Sequence, residues 1–293
     1  MRLPILLVTM SVLCASALAQ QPQQRRQRAP EQRLGWQLAC QAWTFRELTV
    51  FETLETLQSL NIRFVEFFPG QRVSKDNPVG FDHNASPEVI AAVKAKLQET
   101  GVRAVAYGVV GLGTDEAAAR KVFDFAKTMG IQVITSEPPE AAMPMLDRLC
   151  KEYGIKVGIH NHPKPSHYWG PETVLSAVKE VSPNIGACAD TGHWYRSGID
   201  PVEGLKQLKG RVVSLHYKDL NEQKEDVIFG TGVGKAEGQL RELQAQGFRG
   251  PISIEFERTS GQELVENVRK CVEWFRATAA KLAPPRRQQG PGA

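Results

Sequence analysis

A short apolar segment, a polar loop and an amphipathic helix recur in this order along the chain from Trp36 onward. Many of the helices end next to a glycine, and the following apolar segment starts directly after it, as in "ETGVRAV", "TMGIQVI", "EYGIKVG", "LKGRVVS" and "QGFRGPISI". Glycine fits this place because it adopts the left-handed conformation that closes many helices. The recurrence predicts regular alternation of strands and helices over most of the chain.

This alternation predicts eight strands and a final helix near residues 261–281. The strands cover residues 36–42, 62–68, 102–107, 131–137, 155–160, 185–190, 211–217 and 251–256. Strands that alternate with helices form a parallel sheet. Eight such units favour an α/β fold, a single-domain (β/α)₈ TIM barrel, over residues 35–282. A doubly wound open sheet is the alternative, although no GxGxxG motif follows the first strand.

Residues 1–19 have the sequence of a secretory signal peptide. Arg2 precedes the apolar run "LPILLVTMSVLCASALA", which ends in small residues. An uncleaved anchor helix is the alternative. The segment predicts a periplasmic or secreted protein, and no later segment has the ~20 apolar residues of a membrane span. The remaining cysteines are widely spaced, so we expect mostly buried thiols and at most one disulfide: Cys40, Cys150, Cys188 and Cys271.

The positive net charge of +4 comes from the two ends of the chain. Residues 20–34 contain four arginines and one glutamate, and residues 283–293 contain two arginines. Both segments are rich in Gln, Pro and Arg, so we expect them to be disordered. Without these segments and Arg2, 29 basic residues face 31 acidic ones. A nucleic-acid enzyme would carry positive charge on its folded body, so nucleic acid is not an expected partner.

Polar side chains occupy the same end and the same face of the later strands. In a barrel, alternate strand residues point towards the axis and towards the helices. Strand seven should turn Val213, Leu215 and Tyr217 to the helices and Ser214, His216 and Lys218 to the axis. The same alternation gives strands four, five, six and eight the axial residues Glu137, His160 and His162, Asp190, and Glu255 and Glu257. These residues end their strands where barrel enzymes have their active sites.

Five of these side chains suit a metal ion: Glu137, His160, Asp190, His216 and Glu255. Imidazole and carboxylate groups together favour a divalent first-row metal such as Mn²⁺, Co²⁺, Fe²⁺ or Zn²⁺. Carboxylates that converge in a buried place repel one another unless a cation lies between them. The sequence therefore predicts a divalent metal site at the barrel mouth.

The motifs "HNHP", "CADTGHW", "SLHYKDL" and "ISIEFE" resemble those of the xylose isomerase-like TIM barrel superfamily over roughly residues 36–276. This superfamily includes sugar phosphate isomerases and epimerases, inosose dehydratases and the AP endonuclease 2 family with endonuclease IV. The resemblance implies that Asp190, His216 and Glu255 bind the metal and that His193 contacts the substrate. It also implies a small sugar as the partner. The extra aspartate–histidine pair of endonuclease IV after strand seven is missing.

The sequence departs from the family pattern at strand five, where the family commonly has Glu-Asn and this chain has His160-Asn161. The family's ketose epimerases use metal-bound glutamates of strands five and eight as two opposed bases. A liganding histidine does not easily accept a substrate proton, so His160 favours one-base chemistry. We therefore expect a metal-dependent isomerase or epimerase-type enzyme that acts next to a carbonyl group of a sugar. The expected export and the few cations at the barrel mouth favour a non-phosphorylated keto-sugar or glycoside. The alternatives are a 3-keto-glycoside lyase or hydratase and a non-catalytic carbohydrate-binding barrel.

Further residues complete the expected site. Lys218 and Glu255 are candidate bases or charge-stabilising groups, and His162 and His193 are further catalytic candidates. Glu66, at the end of strand two, and Trp194 and Trp169, on mouth loops, are expected to contact the sugar. The glycine-rich stretch at residues 229–234 could cradle a phosphate. The number of chains in an assembly stays open, with a homo-oligomer as one possibility.

Overall fold

The computed structural model describes residues 28–285. The expected signal peptide at residues 1–19 lies outside the described residues, as do residues 20–27 and 286–293. Within the described part, no helix combines the length and the apolar character that crossing a membrane requires.

Eight parallel strands close into a single barrel, in which each strand pairs with its neighbour in sequence and the last pairs with the first. They are β1 (Trp36–Gln41), β2 (Phe64–Phe67), β3 (Arg103–Tyr107), β4 (Val133–Ser136), β5 (Lys156–His160), β6 (Ile185–Asp190), β7 (Val212–Tyr217) and β8 (Gly250–Ile254). The predicted fold class, the TIM barrel, is confirmed, and every predicted strand is present within two residues at each end. A small antiparallel pair, Gln71–Arg72 with Gly80–Phe81, follows β2 and was not predicted.

Ten α-helices are found in residues 28–285: Pro30–Leu34, Val50–Ser59, Pro87–Thr100, Glu116–Met129, Met143–Tyr153, Pro171–Ala177, Thr191–Arg196, Pro201–Gln207, Ala236–Ala245 and Gly261–Leu282. Short 3₁₀ turns occupy Ala42–Phe45 and Glu140–Ala142. The glycines that the sequence placed after helices have the expected left-handed backbone; φ is 73° at Gly130 and 68° at Gly154. Each of these glycines therefore turns the chain from a helix into the next strand.

The beginning of the folded chain corrects one expectation. Residues 30–34, which we expected to be disordered, form a helix that packs against the last helix. Pro30 starts it, Glu31 is buried near Arg276, and Arg33 donates to the carbonyl of Pro284. A proline in the first turn and these long-range contacts stabilise a helix that composition alone did not reveal.

The barrel interior is apolar at its lower end and polar above. The lower cluster consists of Ala39, Phe64, Val105, Ala106, Val133 and Val213. Val213 corrects the predicted alternation in β7, because we expected it to face the helices. The pairing of β6 with β7 steps from Ala187–Val212 to Cys188–Ser214, and this β-bulge leaves Val213 as the extra residue.

All four cysteines within residues 28–285 are buried and free, as the sequence predicted: Cys40, Cys150, Cys188 and Cys271. The site is therefore positioned without a disulfide among the described residues.

Candidate metal centre

The side chains that the alternation placed on the axis converge above the polar interior layer. They line a cavity of about 260 Å³ at the carboxyl ends of the strands. Its walls include His160, His162, His193, His216, Glu255 and Glu257, with Trp43 and Phe68 also on the wall. The donor atoms of His160, Asp190 and His216 lie within 4.8 Å of one another. This group is consistent with a divalent metal site.

The orientation of His216 is set from below. Its Nε2 lies 3.0 Å from Glu66 Oε1, and Glu66 also accepts hydrogen bonds from Thr135 and Ser253. His216 Nδ1 therefore points to the other side, 3.3 Å from Glu255 Oε2 and 4.0 Å from Asp190 Oδ2. Burial alone would lower the pKa of His216, but Cys188, Glu66 and Glu255 raise it well above its usual value. A metal ion at Nδ1 would take the place of that proton.

Glu66 is thus a correction to the sequence-based site. We expected it to contact the sugar, but its side chain is fully buried beneath His216 and does not line the cavity. Inward alternation predicted the direction of Glu66 correctly and could not give its depth. Its role in the structure is to bind the outer nitrogen of a candidate metal ligand.

His160 is oriented in the same manner by another carboxylate. Its Nδ1 lies 3.1 Å from Glu137 Oε1, which leaves Nε2 facing Asp190 Oδ2 at 3.7 Å. Burial alone would raise the pKa of Glu137, but hydrogen bonds with His160 and His162 lower it to about 2. Glu137 therefore lies on the outer side of His160. We expected it among the metal ligands, and this position also suits a residue that orients a ligand. Because the donor atoms of Glu137, His160 and His162 lie within 4.8 Å of one another, its role as a ligand stays a prediction.

Asp190 lies at the centre of the candidate metal centre and is completely buried. The side-chain amide of Asn161 pairs with its backbone, donating to the carbonyl of Asp190 at 2.9 Å and accepting from its amide at 2.8 Å. Asp190 Oδ1 accepts from the amide of His193 and so starts the helix Thr191–Arg196. Asp190 Oδ2 and His216 Nδ1 make no hydrogen bond within residues 28–285, although Lys218 Nζ lies 3.2 Å and His193 Nε2 3.6 Å from Asp190 Oδ2. Buried polar atoms that face one point without a hydrogen bond fit a divalent cation.

The surroundings of Lys218 differ from those expected for a base. Its side chain is buried, and Nζ lies 2.9 Å from Glu255 Oε2, 3.2 Å from Asp190 Oδ2 and 2.6 Å from Glu257 Oε2. Burial alone would lower its pKa, but these carboxylates outweigh that effect and hold the pKa well above its usual value. A lysine held charged in this way favours the charge-stabilising role over the role of a base, and the catalytic assignment of Lys218 stays a prediction.

Two further histidines line the cavity wall and differ in their surroundings. His162 is half-exposed, and its Nδ1 is hydrogen-bonded to Glu137. His193 is mostly buried, and its Nδ1 accepts from Arg196 Nη1 at 3.0 Å. Burial lowers the pKa of His193 to about 3, so its imidazole is neutral and Nε2 carries the hydrogen. Arg196, which the sequence alone did not single out, therefore fixes which nitrogen of His193 donates.

Neither tryptophan that we expected to contact the sugar lines the cavity. Trp194 is completely buried and packs against Gly204, outside the cavity. Trp169 also lies outside the cavity wall, and Lys164 Nζ covers its ring at 3.8 Å. The exposed aromatic residue on the wall is Trp43, 42% exposed and in edge-to-face contact with Phe68. Its place two residues beyond the end of β1 was the sequence signal that could have revealed it.

The glycine-rich loop at residues 229–234 binds a side chain of its own chain. The amides of Gly230, Gly232 and Gly234 donate to the carboxylate of Asp219 over 2.8–3.1 Å, and the amide of Leu220 also donates to it. A carboxylate thus fills the position that a phosphate would need. The possibility of a phosphate cradle in this loop does not hold.

We expect Asp219→Ala to lower the free energy of unfolding by about 3 kcal/mol or more, because it leaves several amide groups without an acceptor. Asp219→Asn retains one acceptor oxygen and should cost less. Asp76→Ala, at an exposed position, is the control and should change stability by less than about 0.5 kcal/mol. Chemical denaturation of the three variants gives the comparison. Equal stability of Asp219→Ala and Asp76→Ala would contradict the role of Asp219.

Comparison with known proteins agrees with the fold. Residues 54–278 match the family described as xylose isomerase-like TIM barrel. The chain belongs to this family. A protein of Parabacteroides distasonis without an assigned function shares 33% identity, with a TM-score of 0.68 over 83% of this chain and 99% of that one. No match to the curated proteins was found.

Two other solved structures with a similar fold are named after an enzymatic activity. A D-allulose 3-epimerase from Methylomonas sp. in complex with D-allulose has 16% identity and a TM-score of 0.66, over 83% of this chain and 97% of that one. A probable 3-DHS dehydratase from Bacillus anthracis has 12% identity and a TM-score of 0.63, over 82% and 98%. At these identities the likeness concerns the fold.

Proposed function

We propose that this chain is a divalent-metal-dependent enzyme that removes a proton next to a carbonyl group of a non-phosphorylated keto-sugar or keto-glycoside. The observation that carries the proposal is the convergence of His160, Asp190, His216 and Glu255 on one point beside the cavity. Two of the buried atoms that face this point, Asp190 Oδ2 and His216 Nδ1, make no hydrogen bond within residues 28–285. When bound there, Mn²⁺, Co²⁺, Fe²⁺ or Zn²⁺ would polarise the carbonyl group.

His162 is the side chain best placed to accept the proton. Its Nδ1 is taken by Glu137, so Nε2 is the nitrogen left for a substrate in the cavity. This pairing of a carboxylate with a histidine orients the ring and stabilises the imidazolium that proton transfer creates. His193, neutral and with the hydrogen on Nε2, would donate a hydrogen bond to a substrate oxygen.

The bases available at the cavity distinguish the candidate reactions. Glu255 is paired with Lys218 Nζ at 2.9 Å and would be a metal ligand, which leaves His162 as the base that we assign to the reaction. Lys218 is held as an ammonium by three carboxylates, and β5 ends in His160 where the two-base epimerases have glutamate. Return of the proton to the opposite face of the sugar would need a second base. Isomerisation, or elimination of a β-substituent as in a 3-keto-glycoside lyase, needs only one. We therefore favour these two reactions over symmetrical epimerisation.

The charges around the cavity support a substrate without phosphate. Two cations beside it, Lys218 and Arg196, are bound to carboxylates of Asp190, Glu255, Glu257 and Asp226. Arg46 packs on Trp43 and donates to the backbone carbonyl groups of Trp43 and Glu257. A phosphate dianion is usually bound by a free arginine or a helix N-terminus.

We also propose that the protein is exported, based on the sequence of residues 1–19. A mature chain that begins after residue 19 in a periplasmic or secreted fraction would support export.

The experiment that tests the proposal is solvent exchange with matched keto-sugars and 3-keto-glycosides, with and without phosphate. Incubation with metal in D₂O should place deuterium on the carbon next to the carbonyl group, and an aglycone should leave where one is present. A carbohydrate-binding barrel without activity would bind the sugar and give no exchange. A clear preference for the phosphorylated compounds would refute the substrate class, and epimers as the only products would refute the one-base reaction.

Trp43 offers an apolar face to a sugar ring at the cavity wall. We expect Trp43→Ala to raise KM by roughly tenfold, the loss of about 1.4 kcal/mol of binding, with kcat changed less than threefold. Trp43→Phe keeps an aromatic face and should have a smaller effect. Steady-state kinetics of both variants measure the changes in KM and kcat. A fall in kcat at constant KM would place Trp43 in the chemical step and contradict its assignment to binding.

A further inference from the structure

The Lys218 ammonium lies on the same oxygen atoms that face the metal-binding nitrogens. Glu255 Oε2 is 2.9 Å from Lys218 Nζ and 3.3 Å from His216 Nδ1. Asp190 Oδ2 is 3.2 Å from Lys218 Nζ and 3.7 Å from His160 Nε2. A divalent ion bound by these carboxylates would therefore share both oxygens with a neighbouring positive charge.

Burial makes this shared arrangement energetically significant. The side chains of Lys218 and Asp190 are about 1% and 0% exposed, and that of Glu255 is 8% exposed. In such a place charges are poorly screened, so attraction and repulsion between them are stronger than at the surface. An ammonium stabilises the two carboxylates when no other cation is near, and it repels a divalent cation that approaches them.

We propose that Lys218 is a built-in counter-cation that competes with the metal ion for Asp190 and Glu255. It keeps the two carboxylates in position in the metal-free protein and weakens the binding of divalent metal. Glu257 holds the ammonium from a third side, and its other oxygen accepts from Trp43 Nε1 at 3.2 Å. Lys218 thus also connects the candidate metal centre to the cavity wall. The inference rests on the proposed metal site.

The test compares Lys218→Met with wild type in Mn²⁺ titration calorimetry and thermal unfolding after removal of metal. Methionine has similar length and no charge. We expect Lys218→Met to bind Mn²⁺ at least tenfold more tightly. Its melting temperature should fall without metal and be largely restored by saturating Mn²⁺, because metal then replaces the lost cation. Lys218→Arg, which keeps the charge, should bind Mn²⁺ no more tightly than wild type.

Lys206→Met is the matched control, because Lys206 pairs with Glu203 at the exposed surface. It should change neither affinity nor melting temperature. If Lys218→Met folds only with metal, chelator-driven release of Mn²⁺ from protein produced with metal replaces the titration, and release should be at least tenfold slower than from wild type. Unchanged or weaker binding, or faster release, would overturn the inference.

Failure of the inference and failure of the proposed function give different results. A wild-type protein that binds Mn²⁺ and a Lys218→Met variant that binds it no more tightly would refute the competition alone. A wild-type protein without affinity and a variant that gains it would support the competition and refute a metal-dependent reaction of the natural chain. Absence of binding in both proteins would refute both.

Discussion

Asp190→Asn and Glu255→Gln are each expected to abolish metal retention and to lower turnover by roughly 10³-fold or more. Both substitutions keep the size of the side chain and remove the negative charge of a candidate ligand. The remaining donors cannot complete the coordination of a divalent ion. Metal content after gel filtration and activity with saturating metal measure the two effects.

Cys188→Ser is the control for these substitutions. Cys188 is buried below the candidate metal centre, in contact with His216, and belongs to the same strand as Asp190. The serine variant should retain metal. Full metal occupancy in the Asp190→Asn and Glu255→Gln proteins would contradict the assignment of both carboxylates as ligands.

Substitutions of the two histidines of "HNHP" are expected to have different effects. His160→Ala should weaken metal binding by more than roughly a hundredfold, because it removes the donor that faces Asp190. His162→Ala should leave metal bound and lower kcat by roughly 10²- to 10⁴-fold, the usual cost of losing a general base. Both side chains share Glu137, so each variant leaves the other histidine with its partner.

Calorimetric metal titration and single-turnover rates separate these two effects. His167→Ala, in the same loop but paired with Glu140 outside the cavity, serves as the control and should change neither quantity. If His162→Ala loses the metal while His160→Ala keeps it, the roles of the two residues must be exchanged.

The sequence predicted the strands and the direction of most axial side chains, because both follow from simple alternation along each strand. It predicted His160, Asp190, His216 and Glu255 at one end of the barrel for the same reason. It failed at Val213, where a β-bulge inserts an extra residue that no pattern in one strand reveals. The chemical roles of His160, Asp190, His216 and Glu255 stay predictions.

The depth of the site side chains in the barrel and their contacts with distant residues could not be predicted from the sequence. Glu66 was correctly predicted to point inward, but only the barrel geometry places it under His216. The alternation along β7 correctly predicted that Lys218 points inward. It could not show that Asp190, Glu255 and Glu257, from two other parts of the chain, surround the ammonium. Trp194 lies four residues after Asp190, and the helix that starts at Thr191 turns it into the core.

The metal content of the protein, purified without chelator and measured by elemental analysis, decides whether the barrel mouth binds a divalent ion. We expect about one divalent first-row metal ion per chain in the wild-type protein and a strongly reduced content in Asp190→Asn. A wild-type protein without metal, which also fails to bind Mn²⁺, Co²⁺, Fe²⁺ or Zn²⁺ on addition, would contradict this expectation.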